Sequence, residues 1–145
     1  MTLTAIFIKR AKGGRMDVHL AAVLEPGRGL VGNVDRGGRR QVTLLSDGRW
    51  AELMQEIGAS LGPEARRANL VISGIDLENT RGRVIHIGQC RLRIGGETRP
   101  CEQMEDAAAG LQKAMRERWG GGAFAEVLDG GPITVGDAVS WDVED

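Results

Sequence analysis

The sequence predicts a mainly β, α+β fold, and three observations carry that prediction. Short β-rich runs separated by glycine turns dominate the chain. Charges and aliphatics alternate strictly across Arg91-Leu92-Arg93-Ile94. The two segments with a helical period do not alternate with the strands, as a doubly wound parallel sheet would require.

The predicted strands cover residues 3–8, 18–24, 40–45, 69–72, 83–87, 91–94, 124–128 and 138–143. Gly13-Gly14, Gly27, Gly29, Gly37-Gly38, Gly74, Gly95-Gly96 and Gly130-Gly131 bound them, the cadence of a barrel or a sandwich. The alternation at 91–94 places Leu92 and Ile94 on a core face and the two arginines in water. From Ser46 onward, Trp50, Leu53, Met54, Ile57 and Leu61 recur with helical spacing, with Ser46 or Asp47 as N-cap and Gly62-Pro63 as the stop. A second helix is expected over about 102–119, with Met104, Ala107, Ala108, Leu111, Ala114 and Met115 on one stripe. Acids open that segment, Arg116 and Arg118 close it, and Gly120-Gly121-Gly122 follows, an order that agrees with the helix dipole.

The 145 residues have the length of one ordinary domain, 1–145, with no internal repeat or linker, too short for separate cofactor and substrate domains. Nineteen basic residues balance twenty acidic ones for a net charge of -1, so no global field draws the chain to nucleic acid or an anionic membrane. Aromatics are only 3%, too few for a base-stacking platform. The apolar runs fall far short of the roughly 20 residues that span a bilayer. The N-terminal apolar residues precede the basic ones, the reverse of a secretory signal, and predict a cytoplasmic protein. The 22 glycines are about twice the usual share of roughly 7% and imply many tight turns.

Cys90 and Cys101 have neither C-x-x-C nor zinc-ribbon spacing, so each thiol is judged alone. Cys90 opens the alternating strand and reads as a strand-edge or semi-buried thiol. Cys101 follows Pro100 at the expected start of the second helix, beside Arg99, where helix N–H groups stabilise a thiolate. Against that stand Glu102, Glu105 and Asp106 within the same turn, and local physics leaves a reactive thiolate and a small buried hydrophobe evenly weighted. His19 and His86 lack a second histidine or a carboxylate at ligand spacing. Lys12-Gly13-Gly14 and Arg36-Gly37-Gly38-Arg39-Arg40 are glycine turns flanked by cations, a composition that suits an anion or an ordinary solvated hairpin.

An ordered set of segments runs through the chain: Gly29-Leu30-Val31-Gly32-Asn33, 40–46, 68–76, Gly88, Pro100-Cys101 and 130–139. In that order they resemble the MOSC domain, the C-terminal domain of molybdenum cofactor sulfurases, which also occurs as short free-standing bacterial proteins. The resemblance covers about residues 5–143. It implies a closed β-barrel similar to the β-barrel domain of pyruvate kinase, with two or more flanking helices. It also implies that Cys101 is the functional thiol, either a ligand to molybdenum in the pterin cofactor or a carrier of persulfide sulfur. Arg40 and Asn69 would then hold the anionic cofactor, with Lys12 in a matching place near the N-terminus. As an enzyme the chain would be a molybdenum-dependent oxidoreductase acting on N-hydroxylated compounds with electrons from a separate protein. As a sulfur carrier it would be served by a cysteine desulfurase, because the chain has no pyridoxal phosphate domain. Many relatives carry Gly-Asp followed shortly by His where this chain reads Gly32-Asn33-Val34-Asp35-Arg36, so an amide replaces the acid and the histidine is missing.

Overall fold

The computed structural model describes residues 1–34 and 36–143. In chain order the elements are β1 (Thr2–Lys9), β2 (Met16–His19), β3 (Ala21–Glu25), β4 (Gly29–Leu30), β5 (Val42–Ser46), α1 (Asp47–Ile57), a 3-10 turn (Pro63–Arg66), β6 (Leu70–Ser73), β7 (Val84–Ile87), β8 (Cys90–Glu97), α2 (Glu102–Ala107), α3 (Leu111–Met115), β9 (Ala123–Asp129), β10 (Gly131–Thr134) and β11 (Val139–Trp141). An eight-stranded sheet has the order β11-β7-β8-β9-β5-β6-β1-β2, and a three-stranded sheet the order β10-β3-β4. β5 and β6 pair in parallel, and α1 with the 3-10 turn supplies the crossover that such a pair needs.

The mainly β, α+β class holds, but neither sheet closes, so the barrel implied by the family resemblance is corrected to two open sheets. The physical reason lies at Leu20. The run 18–24 divides there: Val18 and His19 stay paired with β1, while Ala21 to Leu24 pair with β10. The chain therefore leaves the large sheet where further residues would have lengthened its edge, and β2 and β11 remain separate edges. An isolated bridge, Thr2↔Ala138, with backbone hydrogen bonds between Leu3 and Asp137 and Gly136, links the start of β1 to the segment before β11.

The central strands are buried on both faces, which explains their unbroken apolar runs. Ile6 and Ile8, Leu44, and Leu70 and Ile72 enter the core between the sheets, where Leu24, Leu30 and Ile133 meet them. Their neighbours Phe7, Leu45 and Val71 face the opposite way, into a second core with Trp50, Leu53 and Met54 of α1. In β8 the expected alternation is present, with Cys90, Leu92 and Ile94 buried and Arg93 exposed.

Ser46 caps α1, its hydroxyl accepting from the Arg49 N–H at 3.1 Å. The helix ends at Gly58 rather than Gly62, and the Leu61 carbonyl instead receives the Trp50 indole N–H at 2.9 Å. The second predicted helix is two short ones. Ala108 is extended and Gly110 takes φ 85, a left-handed conformation that costs glycine little. The Glu105 carboxylate fills the break, accepting from the Gly110 N–H at 2.9 Å and the Gln112 N–H at 3.3 Å. Most of the stripe survives, since Met104, Leu111 and Met115 are buried in the helix-side core with Ala108 and Ala114 packed against it, but Ala107 is exposed. No helix of the described residues is long and apolar enough to cross a membrane.

Candidate functional site

In the large sheet the last residues of β1 lie beside the first of β6, with β5 running parallel to β6, while the last residues of β8 lie beside the first of β9, whose Ala123 faces Leu44 of β5. The loops that leave these strand ends enclose a cleft of about 480 Å³ whose walls include Lys9, Arg40, Arg66, Arg67, Asn69 and Thr98. No Asp or Glu is among its described lining residues.

The three arginines of the cleft are held, among the described residues, by a ring and by carbonyls and not by carboxylates. The Arg40 guanidinium lies over the Phe124 ring, 5.5 Å from its centroid. Arg67, in a left-handed conformation at φ 66, donates through Nη2 to the Gly14 carbonyl and so ties the 11–14 turn to the cleft. Arg66, only 8% exposed, donates through Nε to the Gly121 carbonyl at 2.9 Å and through Nη2 to the Thr98 carbonyl at 3.2 Å. Burial pushes the Arg66 guanidinium down from its usual range, the nearby Cys101 side chain offsets part of this, and Arg40 pushes it further down. No described carboxylate pairs with Arg40, Arg66 or Arg67.

Asn69 is a latch within the walls. Its Oδ1 accepts from the Thr43 N–H and hydroxyl, both at 3.1 Å, and its Nδ2 donates to the Phe7 carbonyl at 3.1 Å and Asn33 Oδ1 at 3.2 Å. Two donations and two acceptances use the whole capacity of the amide. Asn33 Oδ1 also accepts from the Lys9 N–H at 2.9 Å, so the amide that replaces the relatives' acid holds two strands through its oxygen. Asp35, the nearest acid that could stand in for the missing one, lies outside the described residues.

Arg40 and Asn69, expected as a pair, thus line one cleft, whereas Lys12 sits on the exposed 11–14 turn and Lys9 is the lysine in the wall. Cys101 is exposed at the start of α2, its side chain making no capping bond. It does not itself line the cleft, but Thr98 and Gln103 on either side of it do. The Thr98 hydroxyl is buried without a partner. Cys90 is buried in the inter-sheet core, and burial pushes its thiol up, with Asp137 and Asp129 adding to the effect. Among the described residues no group of three or more His, Cys, Asp and Glu could hold a metal ion.

The family model for the MOSC domain matches residues 16–140. The chain belongs to the MOSC domain family. A comparison with curated proteins finds no match. Among solved structures this MOSC domain is similar to the YuaD protein from Bacillus subtilis, with a TM-score of 0.78 and 22% identity over 96% of this chain and 94% of that one. It is also similar to YiiM from Escherichia coli, with a TM-score of 0.74 and 14% identity over 100% of this chain and 71% of that one. YiiM from Geobacillus stearothermophilus gives a TM-score of 0.74 and 14% identity, covering 98% and 75% of the two chains. At these identities the likeness concerns the fold.

Sequence reasoning missed Arg66, Arg67 and Thr98 in this MOSC domain. A signal existed for the arginines, which immediately precede the Ala68-Asn69 segment that carries the resemblance. Of the glycines at 120–122, read only as a helix stop, Gly121 lines the cleft. A Cβ on Gly121 would strike the Thr98 carbonyl, and one on Gly122, at φ 93, would strike the Leu44 carbonyl.

Proposed function

We propose that this MOSC domain binds the molybdenum cofactor in the cleft, with the Cys101 thiolate as the metal ligand. The observation that carries the reading is the set of guanidinium groups, unmatched by any described carboxylate, gathered beside the segment that ends at Cys101. The donor chemistry fits such a group. Planar guanidinium forks match phosphate oxygens, a thiolate suits a soft metal, and a cleft of this size is in the range of small-molecule sites. The orphaned Thr98 hydroxyl offers a further hydrogen bond to an occupant.

Arg40 and Arg67 present their forks to the cofactor's phosphate, and Lys9 adds a point charge. Lys12 contributes at the rim, from the turn that Arg67 holds through Gly14. Asn33 and Asn69 keep the strand ends in place beneath the cations. When bound, the metal supplies the redox chemistry, which the resemblance directs to reduction of N-hydroxylated compounds with electrons from a separate protein. The test is metal and pterin analysis after expression in a cofactor-competent host, comparing wild type with Cys101→Ser. Loss of molybdenum in the variant is the expected result, and equal molybdenum in both overturns the reading.

The exposure of Cys101 favours a second reading, a sulfur carrier serving a metal–sulfur cofactor. The thiolate would attack the sulfane sulfur of a desulfurase persulfide, forming a new S–S bond and releasing the donor's thiolate. Incubation with a desulfurase and cysteine would then add the mass of one sulfur atom to Cys101 and none to buried Cys90.

A further inference from the structure

Arg66 is set apart from the other cations of the cleft by what it holds. It ends the 3-10 turn, and its guanidinium gathers backbone carbonyls from two separate segments: Gly121 at 2.9 Å, Thr98 at 3.2 Å and Arg99 at 3.5 Å. Burying a guanidinium with no carboxylate partner among the described residues is expensive, so a fold that does so needs those carbonyls in place. The packing is tight enough that a Cβ on Gly121 would stand 3.2 Å from Arg66 Nη2 as well as striking Thr98. From the other side, the Thr98 N–H donates to the Gly122 carbonyl at 2.9 Å.

What these bonds control is the approach to Cys101. The thiol has no anchor of its own, because its side chain makes no capping bond. Its position is set by the backbone that leads to it. The Arg99 carbonyl belongs to a planar peptide whose nitrogen is that of Pro100, where the ring also restricts φ. Between the clamped carbonyl and the Cys101 Cα, few soft torsions remain. The geometry points to Arg66 as the positioning residue of Cys101: a buried fork that fixes the Thr98 and Arg99 carbonyls and thereby presents the thiol beside the cleft. The inference rests on the reading of Cys101 as the functional thiol.

The test places a nitroxide label on Cys101 of the full chain, buried Cys90 being out of reach of the reagent, and compares wild type, Arg66→Met and Arg66→Lys by electron paramagnetic resonance. In Arg66→Met the label's correlation time should shorten about threefold, and Arg66→Lys, which can still donate to a carbonyl, should recover part of that loss. A label at Ser140→Cys in a Cys101→Ser background, on exposed β11, should not change with either substitution. Equal line shapes at Cys101 in wild type and Arg66→Met overturn the inference, as does an equal gain of mobility at position 140. Where Arg66→Met fails to fold, Arg66→Lys against wild type carries the comparison. The measurement needs no cofactor, so Cys101→Ser retaining its molybdenum would sink the cofactor reading while the label still decides the clamp.

Discussion

The arginines of the cleft and those of the outer sheet surface live by different rules. On the outer surface Arg91 pairs with Asp129 across β8 and β9, and His86 on β7 meets Asp142 at 3.0 Å. Near the β3–β4 turn Arg36 reaches Glu25 at 2.7 Å, and the hydrogen bond holds the Glu25 carboxyl below its usual range. In the cleft, Arg40, Arg66 and Arg67 are held by a ring and by carbonyls instead. A carboxylate neutralises a guanidinium, whereas a carbonyl or an aromatic face fixes its position and leaves the charge available. The net charge of -1 conceals this segregation completely.

Substitutions in the two regions should therefore differ in kind as well as size. The largest effect is expected from Asn69→Ala, which leaves the half-buried Thr43 N–H and the buried Phe7 carbonyl unsatisfied; denaturant melts should show a loss of about 3 kcal/mol. Arg40→Ala should lower cofactor content about tenfold through loss of a charge-assisted contact, with a melting curve close to wild type. Arg67→Gln should weaken cofactor retention less, about fivefold, and loosen the 11–14 turn, which limited proteolysis would report. Cofactor content unchanged in both arginine variants would remove the functional difference between the regions.

The outer pairs should matter least. Arg91→Ala is expected to leave cofactor content at the wild-type level and to change thermal stability only slightly, because both partners are solvent-exposed. The Arg91 hydrogen bond holds the Asp129 carboxyl below its usual value, and the His86 bond does the same for Asp142. A carboxyl depressed in the folded state stabilises above its unfolded pKa, and that stability is lost as pH falls through the folded one. Asp129→Asn should therefore lower the neutral plateau of a plot of melting temperature against pH slightly and so flatten its acid limb, the two curves meeting in acid. An acid limb identical to wild type would show that the pair contributes nothing.

Much of the local structure was legible because it depends on spacing alone. The period of two in β8 told which side chains are buried, and the Ser46 cap with the Trp50, Leu53 and Met54 stripe placed the start of α1. The stripe through Met104, Leu111 and Met115 was read correctly as a buried face, but the break at Gly110 was not, since a stripe is indifferent to one non-helical turn between its members. Cys90, read as a strand-edge or semi-buried thiol, is fully buried, because a residue in phase with Leu92 and Ile94 shares their face.

The sequence by itself determined the mainly β class, the helical segments and, through its ordered motifs, membership of the MOSC family. Only the tertiary structure decided that the run 18–24 splits between two sheets, so that neither closes, because periodicity reports a buried face but not the strand that pairs beside it. Only the tertiary structure gathered Arg66, Arg67, Thr98 and Gly121 with Arg40, residues up to 81 positions apart when Arg40 is counted against Gly121. A guanidinium that bonds to backbone carbonyls leaves no side-chain partner in the sequence to announce it, so its role emerges only when the strand ends that carry those carbonyls are brought together.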